Sequence, residues 1–418
     1  MVFRGFGLPL SFAISIVTSR YLLPAGRGAF VLALLSVTIT AAVFGSVGTA
    51  LSHELGRPNA RVRAVVTQAL LLTVVVSVPC AAALSLIDLE LAQEGYRSVA
   101  WSALALIPLL VAQTLSGALL ALNRLRFWNA IQLLGPAVTL LAMLVVVVGF
   151  SKGVTGAIFA WGLAQAAIAL VALAVTRDIW WPIPPHLFQV NRVVPMFSYG
   201  VRLGLVNLLS LVNYRIELII LEFYAGLHAV GIYSLAVSLA ELLWMASSSV
   251  SAALVAPMLK ESDQPAFALV QRTVRSILIL AIGLGLMLAI AAPFLIPLLF
   301  GAAFRASVTP LLILIPGVVL FSPASVLASF FSIKLGKARY TFWITAMSAA
   351  TTAGVAILAV PRYGPTGAAI ASTTAYAAST MTAYWWCAHI TSTSVAQFIP
   401  RRSDLAVYRS ALAAAVRR

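Results

Sequence analysis

Twelve runs of about twenty apolar residues follow one another along this chain, with charge largely confined to the short stretches between them. They lie at residues 3–22, 29–51, 64–87, 98–122, 130–150, 154–176, 196–224, 229–255, 274–299, 308–333, 341–360 and 367–390. A helix of that length spans a hydrocarbon core of roughly 30 Å. Lipid offers the backbone no hydrogen-bond partners, so a crossing segment must be a helix or a barrel strand, and the period-2 alternation of a barrel is missing. The expectation is an all-α membrane protein with about twelve transmembrane helices. Composition agrees: 62% of residues are apolar, 9% are charged and the mean hydropathy is +1.03. Too little polar surface remains to cover a water-soluble fold, which excludes a soluble enzyme, a disulfide scaffold and a nucleic-acid-binding domain.

The net charge of +16 is therefore an orientation signal. With the N-terminus inside, 19 of the 27 Lys and Arg residues fall in cytoplasmic segments and 6 outside. Arg202 and Arg215 sit within the seventh run. The bias places both termini in the cytoplasm, where basic residues face anionic lipid, and nucleic acid is not an expected partner. The outer segment with Asp88, Glu90 and Glu94 is too short for a domain, and Arg20 and Arg27 fall in the first outer loop. No small-residue cleavage site follows the first run, so it reads as a retained span. Cys80 and Cys387 sit in apolar stretches as small hydrophobes. His53, His186, His228 and His389 lack metal-ligand spacing, so neither a metal nor a cofactor is expected. No G-x-x-x-x-G-K-[ST] loop is present.

An internal repeat organises the chain. Gly28-Ala29-Phe30 through Thr49-Ala50-Leu51 recurs as Gly231-Ile232-Tyr233 through Ala252-Ala253-Leu254, at an offset of 203. Asn123-Arg124-Leu125-Arg126 echoes Gly336-Lys337-Ala338-Arg339, and Gly153-Val154-Thr155-Gly156 echoes Gly364-Pro365-Thr366-Gly367. Six runs per copy give two bundles of like orientation around a central cavity. The expected domains are a first bundle at 1–176, a cytoplasmic Pro/Trp-rich linker at 177–195, a second bundle at 196–390 and a basic cytoplasmic tail at 391–418. In that tail Leu405, Leu412 and Val416 have helical spacing, which suits an amphipathic surface helix or a frayed end.

Charges inside a span are costly and are functional candidates by default. Here they are Arg202, Arg215, Glu217, Glu222 and Glu241. On a helix Arg202, Ser210, Asn213 and Glu217 share an arc of about 80°, and Arg215 with Glu222 shares another face. Glu241 lies on a stripe with Ser234, Ser238 and Ser248, and Arg4, Ser11, Ser15 and Thr18 align in the first run. Pro108, Pro136, Pro316 and Pro323 fall inside runs, where they kink helices for packing or gating.

Two stretches carry a resemblance. Ser19-Arg20-Tyr21-Leu22-Leu23-Pro24-Ala25-Gly26-Arg27-Gly28 resembles the end of the first span in the polysaccharide exporter, or Wzx-type oligosaccharide flippase, family of the multidrug/oligosaccharidyl-lipid/polysaccharide (MOP) flippase superfamily. Tyr214-Arg215-Ile216-Glu217 followed by Val230-Gly231-Ile232-Tyr233-Ser234-Leu235-Ala236 resembles its second-half counterpart. Leu23 stands where that family often has Gly, and Glu217 where it often has Asp. The resemblance implies flipping of an undecaprenyl-pyrophosphate-linked oligosaccharide across a bacterial inner membrane for envelope polysaccharide synthesis, such as O-antigen, lipopolysaccharide or exopolysaccharide. It implies as partners a lipid-linked oligosaccharide, membrane lipids, a proton or sodium ion for coupling, and polysaccharide polymerase machinery.

On that reading Arg202, Arg215 and Arg20 are candidates for the pyrophosphate, because a guanidinium binds phosphate oxygens bidentately and stays charged. Ser210 and Asn213 suit the glycan, and Glu217, Glu241 and Glu222 suit ion coupling. Each also has a structural reading: Arg215 and Glu217 neutralising neighbouring helices, Arg202 and Glu222 snorkelling, Glu241 joining helices, and Arg20 anchoring at the interface. The alternatives for the whole chain are a cation-coupled multidrug antiporter of the same superfamily, which wants fewer arginines, and a membrane glycan polymerase or ligase, which wants a large outer loop. Of these classes only the last is an enzyme.

Overall fold

A computed structural model describes residues 2–57, 61–91, 97–183, 190–401 and 404. Glu94, His186, part of the expected linker and the tail residues 405–418 lie outside the described residues. Among those described there is no strand. The helices are α1 (Val2–Phe44), α2 (Val47–Leu55), α3 (Val62–Leu91), α4 (Leu106–Ala121), α5 (Leu125–Met143), α6 (Gly153–Val175), α7 (Arg177–Trp180), α8 (Val190–Lys260), α9 (Asp263–Phe300), α10 (Val308–Phe321), α11 (Ala324–Ser329), α12 (Ala338–Tyr363) and α13 (Pro365–Ile390). The all-α membrane fold is as the hydropathy required.

Nine stretches among the described residues are long and apolar enough to cross a membrane. Nine rather than twelve has a physical reason. Pro9–Leu55 takes in the larger part of one expected run and all of the next, Val194–Trp244 takes in one and the larger part of the next, and α13, rich in Ala, Ser and Thr, is not among the nine. Large apolar side chains such as Phe223, Phe294, Ile290 and Leu358 are more than 70% exposed. Water would penalise that surface, whereas lipid accepts it.

The chain forms two compact units, Met1–Val212 and Asn213–Arg418, with the boundary inside α8. In unit 1, α1 breaks at Leu23 (φ 60°, ψ 174°). The next residue is Pro24, whose ring disfavours the helical conformation in the residue before it. One core surrounds Leu106, Leu110, Met143, Ala160 and Trp161, and a second surrounds Leu51, Val66, Leu115, Leu119 and Ile179. Small residues set how closely α2 and α4 approach: a Cβ added at Gly117 would stand 2.2 Å from the Gly48 carbonyl oxygen. The Ser52 hydroxyl donates to the Gly117 carbonyl at 2.8 Å across the same crossing. Close backbone approach of this kind is how helices associate in lipid, where apolar surface gains nothing by leaving its surroundings.

Unit 2 repeats the plan. The helix α8 breaks at Gly226 (φ 73°, ψ 178°), which is Leu23 advanced by the repeat offset of 203. Its helix α13 packs against α10 and α12, and its core gathers Met258, Val270, Val274, Phe330, Phe331, Cys387 and Phe398.

Two placements differ from the sequence reading. Asp88 and Glu90 lie in the last turns of α3 rather than in a loop, because Leu86, Ile87, Leu89 and Leu91 carry its apolar pattern onward. Arg27 is not in a loop either: it is helical and only 4% exposed, because the chain re-enters helix directly after the break at Leu23.

Candidate functional site

The intramembrane charges sort into a cluster in unit 2 and isolated positions elsewhere. On α8 after the break, Glu241 forms an ion pair with Arg215, which precedes the break, at 2.9 Å between Nη2 and Oε1. Both side chains are about 30% exposed, so the pair is half-buried and reachable. Glu217, two residues on, is 1% exposed. The fully buried Tyr233 hydroxyl lies 3.4 Å from Glu217 Oε1 and 2.9 Å from the Ser372 hydroxyl of α13. Glu217 Oε2 and Asn213 Oδ1 have no hydrogen-bond partner among the described residues. They belong to residues four apart on one helix, so two buried acceptors share a face. Burying acceptors unpaired is costly, and the arrangement suits a donor or a cation.

Beside this cluster Tyr214, Trp244, Phe321 and Tyr376 form a chain of rings. Their centroids are 4.9 Å apart for Tyr214–Trp244, 5.7 Å for Trp244–Phe321 and 4.8 Å for the stacked Phe321–Tyr376. Tyr214 and Tyr233 stand in the quoted motif without a role of their own, and Trp244, Phe321 and Tyr376 were not singled out by sequence. Their signal was weak, since aromatic residues in a membrane protein also read as interface belts.

The other candidates stand apart. Arg202 belongs to unit 1, is exposed and donates to the Ser198 hydroxyl at 3.0 Å. The Ser210 hydroxyl donates to its own helix at the Val206 carbonyl, 3.3 Å away. Arg20 is exposed, and Glu222 is half-buried with no ion pair among the described residues. Unit 1 has its own buried charge, which the sequence reading missed. Arg27 Nη1 donates to the Ser15 carbonyl at 3.1 Å and to the Thr18 and Ser19 hydroxyls at 2.9 Å each. The segment after the break thus reaches back to the segment before it. The clue was the run Ser15, Thr18, Ser19 ahead of an arginine at short range. Among the described residues no three His, Cys, Asp or Glu side chains gather as metal ligands.

A second site lies outside the apolar spans, where each sixth long helix ends. In unit 1, α7 follows α6 and buries Ile179 in the core with Leu51 and Val66. Arg63 of α3 donates to the carbonyl of the preceding residue, Asp178, at 3.5 Å. In unit 2 a single 3₁₀ turn, Val395–Phe398, follows α13 and buries Phe398. Arg275 of α9 donates to the carbonyl of its preceding residue, Gln397, at 2.9 Å. The Asp178 carboxylate is bound by both Nη atoms of Arg124, whose hydrogen bond holds it below the usual carboxylate range. Burial would raise the pKa of Asp404, but the Arg401 backbone N–H and the Arg275 guanidinium outweigh it and the net shift is down.

Comparison with known proteins identifies the fold. The fold is that of an inward-facing multidrug resistance MATE family transporter of the MOP superfamily, at 18% identity and TM-score 0.74, covering 92% of this chain and 94% of that one. It is equally that of the lipid II flippase MurJ in an inward closed conformation, at 14% identity and TM-score 0.73, covering 95% and 88%. A MOP superfamily transporter from Pyrococcus furiosus, described as having a binding pocket of reverse polarity, matches at 15% identity and TM-score 0.61, covering 94% of each chain. Curated protein sequences give no match. Residues 1–263, well over half of the sequence, match the polysaccharide biosynthesis protein family, and the chain belongs to that family.

Proposed function

We propose that this multi-pass membrane protein flips an undecaprenyl-pyrophosphate-linked oligosaccharide from the cytoplasmic to the outer leaflet of a bacterial inner membrane, with both termini in the cytoplasm. The observation that carries the reading is the conjunction of membership in a polysaccharide biosynthesis family with a fold shared by a lipid II flippase. The substrate's diphosphate needs cationic forks, which Arg202, Arg215 and Arg20 offer in half-buried or exposed positions. Ser210 and Asn213 are the glycan candidates.

The Arg215–Glu241 pair suggests how an ion couples to the substrate. While Glu241 is ionised it occupies the guanidinium of Arg215. Protonation of Glu241 releases that fork to a diphosphate, so one proton and one anion exchange at the same arginine. Glu217, with its unpartnered Oε2, is a second position for a proton or sodium ion, and Glu222 is a third coupling candidate.

The test is translocation of a labelled lipid-linked oligosaccharide in proteoliposomes. Arg215→Ala and Arg202→Ala abolish it with membrane abundance unchanged, and Lys at either position restores only part, since it lacks the bidentate fork. Normal translocation by the double Ala variant refutes the anion role. The likeness to a multidrug transporter favours one second reading, cation-coupled drug export. Export of a lipophilic cation with no movement of the lipid-linked glycan selects it.

A further inference from the structure

In unit 2 a cavity of about 670 Å³ opens between the first turns of α9 and the 3₁₀ turn Val395–Phe398. Three arginines line it: Arg272, Arg275 and Arg401. Their situations differ. Arg275 is held in place by the Gln397 carbonyl and by Asp404, at 2.9 Å each. Arg272 and Arg401 are exposed, and neither guanidinium has an ion pair among the described residues. Gln271 donates to the Gln397 side chain at 2.6 Å, and Phe398 beneath is 2% exposed, stacked on Tyr384 at 4.9 Å. The wall that carries Arg401 is therefore pinned to α9 and the core.

Unit 1 shows what is missing. At its matching corner the residue before the buried anchor is Asp178, and its carboxylate takes both Nη atoms of Arg124. At the corner in unit 2 that residue is Gln397, which carries no charge. Arg275 keeps an acid, Asp404, but Arg272 and Arg401 have no ion pair among the described residues of the kind that Asp178 gives Arg124. Glu261 also lines the cavity and Asp404 stands behind Arg275, and Lys334 donates to the Glu261 carbonyl at 2.7 Å. Counting Arg272, Arg275, Arg401 and Lys334 against Glu261 and Asp404, the balance is positive.

We infer that this cavity binds a phosphate group, with Arg272 and Arg401 as its two forks and Arg275 as a positioning residue. Planar guanidinium groups recognise tetrahedral oxyanions bidentately, and two of them on a pinned scaffold lose little freedom on binding. The site lies at the end of unit 2 where the basic bias of the sequence concentrates, the leaflet face on which anionic headgroups attract arginines. A phospholipid headgroup and a soluble phosphate compound present the same chemistry here.

The experiment separates the two sources and needs no transport assay, so its failure is distinct from failure of the flippase reading. The full chain is placed in nanodiscs of phosphatidylcholine and titrated with inorganic pyrophosphate. In parallel, nanodiscs with phosphatidylglycerol added are analysed by native mass spectrometry for retained lipid. The expectation is salt-sensitive binding of one or both probes, weakened about tenfold or more by Arg272→Gln with Arg401→Gln. Glu261→Gln, which removes a repelling charge, tightens it. That gain cannot arise from misfolding. Pyrophosphate binding that the double Gln variant loses assigns a soluble ligand, and phosphatidylglycerol retention alone, lost in the same variant, assigns a headgroup. If neither probe binds, or if the double Gln variant binds both as the parent does, the site does not exist.

Discussion

The two units place the same break at the same point of the repeat and make it by different chemistry. Unit 1 bends at Leu23, a residue for which positive φ is strained, and Pro24 behind it enforces departure from the helix. Unit 2 bends at Gly226, where no side chain resists. The other echoed loops behave alike: Asn123 (φ 56°) answers Gly336 (φ 63°), and Gly153 (φ 55°) answers Gly364 (φ 53°). What bridges each bend is inverted. In unit 1 a cation, Arg27, reaches back to hydroxyls and a carbonyl; in unit 2 a phenol, Tyr233, reaches back to the carboxyl group of Glu217. Backbone geometry is therefore the common element, and the polar groups fastened to it are free to differ in kind. Such a division lets two copies of one plan take different tasks.

The largest way to break the comparison is at the anchors below the sixth long helices. Phe398→Ala should cost about 3–5 kcal/mol and Ile179→Ala about 2–5 kcal/mol, from lost burial plus the cavity left behind, read by denaturant unfolding in detergent. An unchanged unfolding midpoint for Phe398→Ala would show that the 3₁₀ turn is not held by its core contact. Next come the bridges. Tyr233→Phe removes the hydroxyl serving the buried Glu217 carboxyl group and Ser372 and should cost about 1–3 kcal/mol, whereas Thr18→Val leaves Arg27 the Ser15 carbonyl and the Ser19 hydroxyl and should cost about 1 kcal/mol or less. Equal losses would erase the contrast.

The bend itself gives smaller effects. Gly226→Ala should destabilise by about 1–3 kcal/mol through backbone strain alone, since no atom lies within 4 Å of the added Cβ. Leu23→Gly should stabilise by roughly 1 kcal/mol. If both substitutions destabilise, Leu23 is not strained. Smallest is the acid response of the Arg124–Asp178 pair, which is more than half exposed on the Asp side. The native carboxyl titrates below its unfolded value of 3.8, so its contribution is present above that value and lost as pH falls through the lowered one. Asp178→Asn should flatten the stability profile below about pH 4 by a fraction of a kcal/mol, as measured by acid unfolding with and without the substitution.

Helix class was legible because lipid imposes one rule on every crossing segment, and the paired breaks at Leu23 and Gly226 fall at the offset of 203 that survives as literal sequence. The bends were legible in part: Pro24 and Gly226 stand at the points of departure, yet only the repeat ties them together. Glu217, Arg215 and Glu241 were visible because charge in an apolar run is conspicuous. Their partners were not. Ser372 and the rings of Phe321 and Tyr376 come from distant segments, and single-helix faces cannot report what another helix brings. Arg27 was misplaced for a related reason. A charge near a run end looks like a loop residue unless the hydroxyls that accept from it are recognised as its partners.

The central claim is that a lipid-linked oligosaccharide crosses the bilayer on this chain and that Glu241 couples the crossing to an ion. Purified protein in proteoliposomes, supplied with a fluorescent undecaprenyl-pyrophosphate oligosaccharide, tests both through the share of label that a membrane-impermeant quencher can reach. The account predicts that label changes leaflet, that an imposed proton or sodium gradient accelerates it, and that Glu241→Gln, which cannot titrate, removes the gradient dependence. A parent chain that leaves the label where it began, or a Glu241→Gln variant that answers the gradient as the parent does, would contradict it.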